Sequence, residues 1–181
     1  MMTAVWRIAM FTVAGLACAS APANAREAKA NQVAVSGTIS GEKIQKVGFR
    51  AMIQKQAIMG NLAGAARNNP EGTVSLSLQG DKDRIGKVLD VIRAGNKKSS
   101  TGNSVSLTDA PLDPNLDTFT VFAWTSTSRD ITTPYDLVFH LRPTDDEISK
   151  KEAAGVWNAI AESTLKGDDL AKFMKHLDSD E

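Results

Sequence analysis

From Thr73 to Leu78 the chain reads Thr-Val-Ser-Leu-Ser-Leu, polar and apolar in strict alternation, between a turn cluster (Asn69-Pro70-Glu71-Gly72) and a terminator (Gln79-Gly80-Asp81). Successive side chains of a strand point to opposite faces, so Val74, Leu76 and Leu78 meet a core while Thr73, Ser75 and Ser77 meet water. A sheet with one wet face is antiparallel in character and carries its helices on the other face.

Segments with helical spacing supply that cover. From Val47 to Gly60, Phe49, Ile53 and Ala57 fall on one face with Met52 and Gln56 beside it, and Phe49 reads as a core anchor. Ile85, Val88, Leu89 and Ile92 recur at i, i+3, i+4 and i+7 in a second helix that stops at Gly95. Val33, Val35 and Thr38-Ile39 mark a first strand, followed by a turn at Gly41-Glu42-Lys43. Leu62 to Asn68 is a poor strand by propensity, yet the turn after it pairs it with Thr73–Leu78 as a hairpin. The stretch from Asn96 to Asn115 is polar and reads as a loop or ragged edge; Thr118–Trp124 and Tyr135–Leu141 are further strands. The resulting order is strand, helix, strand, strand, helix, strand, with one more short strand. This predicts an α+β fold, a ferredoxin-like split βαβ antiparallel sheet with two helices on one face.

Two flanking segments stand apart. In Met1–Ala25, Arg7 precedes an apolar run from Ile8 to Ala19, and Ala23-Asn24-Ala25 has the small-x-small pattern of a signal peptidase site. The run is short for a bilayer span, so a cleaved signal peptide and an exported protein, periplasmic or secreted, with no stable membrane span after cleavage are expected. Cleavage after Ala25 of the 181-residue chain leaves 156 residues and removes Cys18, the only cysteine, so no disulfide and no thiol chemistry are expected. After Pro143, Thr144-Asp145-Asp146-Glu147 reads as a capping box for a helix carrying Ile148, Val156, Trp157 and Ile160 and ending at Lys166-Gly167. A shorter helix follows with Leu170, Phe173, Met174 and Leu177 on one face. This C-terminal extension (144–181) is expected either to cover the sheet of its own domain or to dock a protein partner.

The chemistry points to Ile44-Gln45-Lys46-Val47-Gly48-Phe49-Arg50, where a strand-like segment gives way to a helix. The first N–H groups of a helix lack intrahelical acceptors and carry the positive end of its dipole, which makes the junction an anion site. Gly48 lets the backbone approach closely, and the planar fork of Arg50 suits a tetrahedral oxyanion. Charge is balanced, 21 basic against 21 acidic residues, so neither nucleic acid nor an anionic membrane is an expected partner. His140 and His176 stand alone in their segments, and neither a metal site nor a cofactor is expected.

Three separate blocks carry a family resemblance: Ile44–Arg50, then Gly64-Ala65-Ala66-Arg67-Asn68, then Glu71-Gly72-Thr73-Val74 leading to Gln79-Gly80, with Arg142 after the last strand. In order and spacing they resemble the acylphosphatase signature V-Q-G-V-G-F-R, G-W-V-R-N, D-G-T-V and Q-G, over about residues 33–143. The resemblance implies a small hydrolase of carboxyl-phosphate anhydrides that works without a metal. Its phosphate-binding residues would be Lys46, Val47, Gly48, Phe49 and Arg50, and Asn68 would orient the attacking water. An acyl phosphate is already activated, so positioning and charge stabilisation suffice without a covalent nucleophile.

Lys46 stands where the family has Gly, Ala65 where it has Trp, and about five residues around Ser40–Lys43 are inserted before the loop. With φ above zero, a lysine at position 46 costs about 1–2 kcal/mol, or else it lends the phosphate a second charge. Two functions follow: an exported acyl phosphate hydrolase, or a catalytically weak or inactive ferredoxin-like module that binds an anion or a protein partner.

Overall fold

The computed structural model describes residues 31–143 and 146–177. The expected signal peptide (1–25), and Thr144 and Asp145 of the expected capping box, lie outside the described residues. Six strands form one sheet: β1 (Gln32–Ser40), β2 (Ala63–Asn68), β3 (Val74–Asp81), β4 (Ser104–Ala110), β5 (Thr118–Ser126) and β6 (Ile131–His140), in spatial order β4-β1-β3-β2-β5-β6. Neighbours are antiparallel except β2 and β5, which run parallel. The helices are α1 (Phe49–Gly60), α2 (Lys82–Ala94), α3 (Lys150–Thr164) and α4 (Gly167–Leu177).

The ferredoxin-like α+β core is present, with one reassignment. The polar stretch expected to be a loop or ragged edge is an edge in part: it contains β4, an edge strand paired with β1, while Thr118–Trp124 and Tyr135–Leu141 belong to the fifth and sixth strands on the far side. An edge strand buries little, and in β4 only Val105, Leu107 and Ala110 are even half-buried. Its polar composition therefore suits the place it occupies.

β2 shows why its weak propensity does not matter. It is an inner strand between β3 and β5, and Ala66 lies fully buried on the helix-bearing face. β-propensity spans only about 1 kcal/mol and is overridden by pairing and packing. On β1, Ile39 faces the core with Val74, Leu76 and Leu78 of β3, and these meet Phe49, Ile53 and Ala57 of α1 and Ile85, Val88 and Ile92 of α2. Gln54, fully buried in α1, donates to the Leu137 carbonyl at 2.7 Å and so ties the helix to β6. Asp81 caps α2, accepting from the N–H groups of Asp83 and Arg84 at 3.0 Å.

The C-terminal extension covers its own domain. α3 starts at Lys150, not near Thr144, and its N-cap is Ser149, which accepts from the Glu152 N–H at 3.2 Å. Ile148, expected on the helix, precedes it and pins the approach by donating from its N–H to the Met59 carbonyl at 3.1 Å. Ala153, Trp157 and Ala161 are buried against α1 and β6, and Trp157 stands between Trp124 (centroids 5.8 Å apart) and Phe173 of α4 (6.1 Å). Of the α4 face, Phe173 is fully buried while Met174 is 45% exposed. The Tyr135 hydroxyl donates to Asp169 at 2.9 Å, fixing α4 to β6.

Because Trp157 is shared by the extension and the sheet, Trp157→Ala is expected to destabilise the whole domain by about 3–5 kcal/mol. Urea denaturation should still show a single transition, with fluorescence and far-UV circular dichroism coinciding.

Candidate functional site

β1, β2 and β5 run in one direction, and their C-terminal ends gather at one edge together with the N-terminus of α1. The segment from Gly41 to Gly48 crosses this edge. Ile44, 2% exposed, anchors it in the core, and Phe49, 1% exposed, does the same at the start of α1, the anchoring role expected of that ring.

Between those anchors the backbone turns left-handed twice, at Lys46 (φ 59°) and at Gly48 (φ 71°). A glycine meets that demand without penalty, and a Cβ built on Gly48 would face open space, so its need for glycine is conformational. Lys46 is in the strained conformation that the sequence comparison raised as one of two possibilities. Its side chain is exposed and lines the site. Both consequences of the substitution, strain and added charge, are therefore available at once.

Three clamps hold the loop. The Gln45 side chain donates to the carbonyls of Asn69 and Thr73, both at 2.8 Å, and so fixes the loop to the β2–β3 turn beside Asn68. Asn96 donates to the Val47 carbonyl at 3.1 Å. The inserted residues are held by the loop after α2, where the Ser100 N–H donates to the Lys43 carbonyl at 2.9 Å. In that loop Asn103, 4% exposed, holds the end of α2 by donating to the Ile92 carbonyl at 2.9 Å.

Arg50, 9% exposed, is directed to the same edge. Its Nη1 donates to the Phe122 carbonyl and, at 3.1 Å, to that of Ala123. Those carbonyls are turned by an irregularity between β5 and β6: the register shifts after Val121, Ala123 has φ 48°, and its N–H is taken by Asp136 at 2.8 Å. A bulge beside a site re-aims groups in this way. Burial lowers the pKa of the guanidinium from its ordinary value, yet an arginine stays charged in a protein. A buried cation with part of its fork engaged by neutral carbonyls favours an anion on the remainder.

Asn68 closes the arrangement. It ends β2 on the same face as Ala66, and its Oδ1 is buried with no hydrogen-bond partner among the described residues. Such an acceptor is costly to leave unmet.

Lys46, Gly48, Phe49, Arg50 and Asn68 line one cavity of about 30 Å³. On the scale of one water per 10–15 Å³ this is room for about two waters or one small oxyanion head. Of the six residues expected to bind phosphate or orient water, Val47 alone does not line it, opening instead onto the adjoining cleft, while Arg142 lies apart, beside Asn61. Ile44 and Ala51, from the same segment as Lys46–Arg50, line the cavity too, and Trp124 and Thr125 complete the lining. Sequence reading missed the last two because they lie on β5, distant in the chain and brought alongside β2 only by the parallel pairing. Gln45 belonged to the motif, but its clamping role needed the hairpin turn in place.

Ala65, where a tryptophan was noted as missing, pairs with Ser77 and Thr120 and belongs by alternation to the face away from the helices. Next to it on that face, Arg67 stacks over the Phe122 ring at 4.6 Å. Among the described residues no group of three or more His, Cys, Asp and Glu is placed to hold a metal ion, and no helix is long and apolar enough to cross a membrane.

With this geometry, the acylphosphatase family model matches residues 35–121, which contain the loop, Arg50, Asn68 and β3 but not the C-terminal helices. The acylphosphatase of Chlorobaculum tepidum is 33% identical over 89 residues, 49% of this chain and 90% of that protein. That of Methanocella arvoryzae is 42% identical over 62 residues, 34% of this chain and 69% of its own. Among solved structures, an acylphosphatase from Coxiella burnetii aligns over 52% of this chain and 97% of its own at 26% identity, with a TM-score of 0.46. On the near-complete coverage of the Chlorobaculum protein at 33% identity, the chain belongs to the acylphosphatase family.

Proposed function

We propose that the protein hydrolyses carboxyl-phosphate bonds without a metal, and that it does so outside the cytoplasm. The observation that carries the reading is the meeting, in one small cavity, of a buried cation and a buried unmet acceptor: Arg50 and the Asn68 Oδ1. The phosphoryl oxygens sit against the free part of the Arg50 fork and the N–H groups of Lys46–Arg50, where dipoles already point at the developing charge. The Asn68 Oδ1 accepts a hydrogen bond from a water and holds it for attack on phosphorus; an amide does this without titrating. The P–O bond to the acyl group breaks, and the carboxylate leaves as a stable anion, so no side chain need form a covalent bond. Export rests on the Met1–Ala25 pattern alone, and N-terminal sequencing of protein recovered from the producing cells should begin at Arg26.

Hydrolysis of acetyl phosphate should be measurable and indifferent to a metal chelator. Arg50→Ala should lower kcat/KM by about a hundredfold or more, the usual effect of removing a charge-stabilising donor. A rate that ignores Arg50 would sink the site assignment. Asn68→Ala is expected to collapse kcat while inorganic phosphate inhibits as before, because a water-positioning residue acts on turnover and not on phosphate affinity. Loss of phosphate inhibition with turnover kept would reverse the two roles.

Lys46→Gly separates strain from charge. Relief of the left-handed lysine should raise stability by about 1 kcal/mol, a Tm gain of about 2–4 °C for a domain of this size. Activity should rise as well if ordered backbone donors outweigh one exposed ammonium. If phosphate affinity instead falls and loses salt sensitivity, Lys46 is a working ligand. Should neither protein bind phosphate nor hydrolyse the substrate, an interaction module replaces the enzyme.

A further inference from the structure

Beside the small cavity lies a much larger cleft of about 700 Å³, within the range of small-molecule sites. Its walls are the outer side of α1, the loop after α2, the 3-10 turn Thr127–Arg129 and the start of α3, so the C-terminal extension builds part of it. Lys46, Gly48, Ala51, Trp124 and Thr125 line both spaces, and the cleft therefore opens onto the phosphate cavity.

The lining is charged one way. Lys46, Lys55, Lys97, Lys98, Arg129 and Lys150 contribute to it, and among the described residues no aspartate or glutamate does. Over the whole chain basic and acidic residues number 21 each, so this segregation is local. Lys46, Lys97, Lys98 and Lys150 form no ion pair among the described residues. Lys55 lies 4.7 Å from the centroid of the Trp157 ring. Trp157 itself is 4% exposed, and its Nε1 is a buried donor with no partner among the described residues. Cations gathered on a concave wall repel one another and attract an anion, and the tryptophan and the methionines of α1 give an apolar floor.

Resting on the hydrolase reading above, we infer that the acid half of the substrate is an apolar body carrying a second anionic group, seated in this cleft while its phosphoryl end occupies the cavity at Arg50. Acetyl phosphate, with its phosphoryl head in the cavity, has only a methyl group to present to the cleft and leaves the lysines unused. A distal carboxylate or phosphate engages the lysines.

Benzoyl phosphate and 4-carboxybenzoyl phosphate differ by one distal carboxylate and test this directly. The expected result is a kcat/KM ratio of about ten or more in favour of the carboxylated compound at low salt, shrinking towards one at about 0.5 M salt. The double variant Lys97→Gln/Lys98→Gln, at two exposed positions, should bring the ratio towards one, and Lys97→Arg/Lys98→Arg should keep it. A wild-type ratio near one, or a ratio indifferent to the glutamine pair, overturns the inference. Should neither compound be hydrolysed, the hydrolase reading fails and the cleft is judged by binding. Trp124 and Trp157 are two of the three tryptophans, so fluorescence reports on it. Quenching by terephthalate that exceeds that by benzoate and is lost in the glutamine pair sustains the anion cleft; equal or absent responses overturn it.

Discussion

The site depends on how a buried guanidinium is held. Taking a cation out of water costs several kcal/mol unless hydrogen bonds compensate, and each bond to a charged group returns about 1.5–3 kcal/mol. Arg50 receives that compensation from the main-chain carbonyls of Phe122 and Ala123, which the β5–β6 irregularity turns towards it. Carbonyls neutralise nothing, so the charge survives and remains available to an anion. A carboxylate in their place would have satisfied the arginine and closed the site. The bulge is thus as necessary to the site as the arginine, and Asp136 holds it open by accepting the N–H of Ala123.

The loop opposite is held by side chains because it cannot hold itself. The backbone is left-handed at Lys46 and Gly48, and a lysine in that conformation is unfavourable and persists only where its surroundings over-determine it. Gln45, Asn96 and the Ser100–Lys43 contact supply that determination from three directions. Two of these partners come from the loop after α2, which also carries Lys97 and Lys98 into the cleft. The loop that steadies Lys46–Gly48 therefore also furnishes part of the wall beside it.

The C-terminal helices are integral to the core and not an appendage. Trp157 packs between Trp124 of β5 and Phe173 of α4, joining extension and sheet in one apolar cluster. Most of the apolar surface that left a docking role open in the sequence is spent inside the domain. What the extension adds to the cleft, beyond the family segment, is Lys150, Ala154 and Trp157.

Much of this was legible in the sequence because it is local. Alternation in Thr73–Leu78 specified a strand and its buried face, helical spacing specified α1 and α2, and the resemblance of the Ile44–Arg50 and Gly64–Asn68 blocks to the family signature singled out Arg50 and Asn68, which the fold brings to one cavity. β4 was legible only as a loop or ragged edge, since an edge strand buries too little for its pattern to stand out from a loop, and the start of α3 was misplaced because two capping sequences of the same type, Thr144–Glu147 and Ser149–Glu152, follow each other within two turns. Only tertiary structure decided what depends on distant segments meeting. Parallel pairing of β2 with β5 brought Trp124 and Thr125 to Asn68, a bulge 72 residues from Arg50 supplied its acceptor, and the meeting of α1, the loops before it and after α2, the 3-10 turn and the start of α3 gathered six cations that sequence order scatters from Lys46 to Lys150. Composition reports their number, and balanced by as many acids they signify nothing; their convergence on one wall is a property of the fold alone.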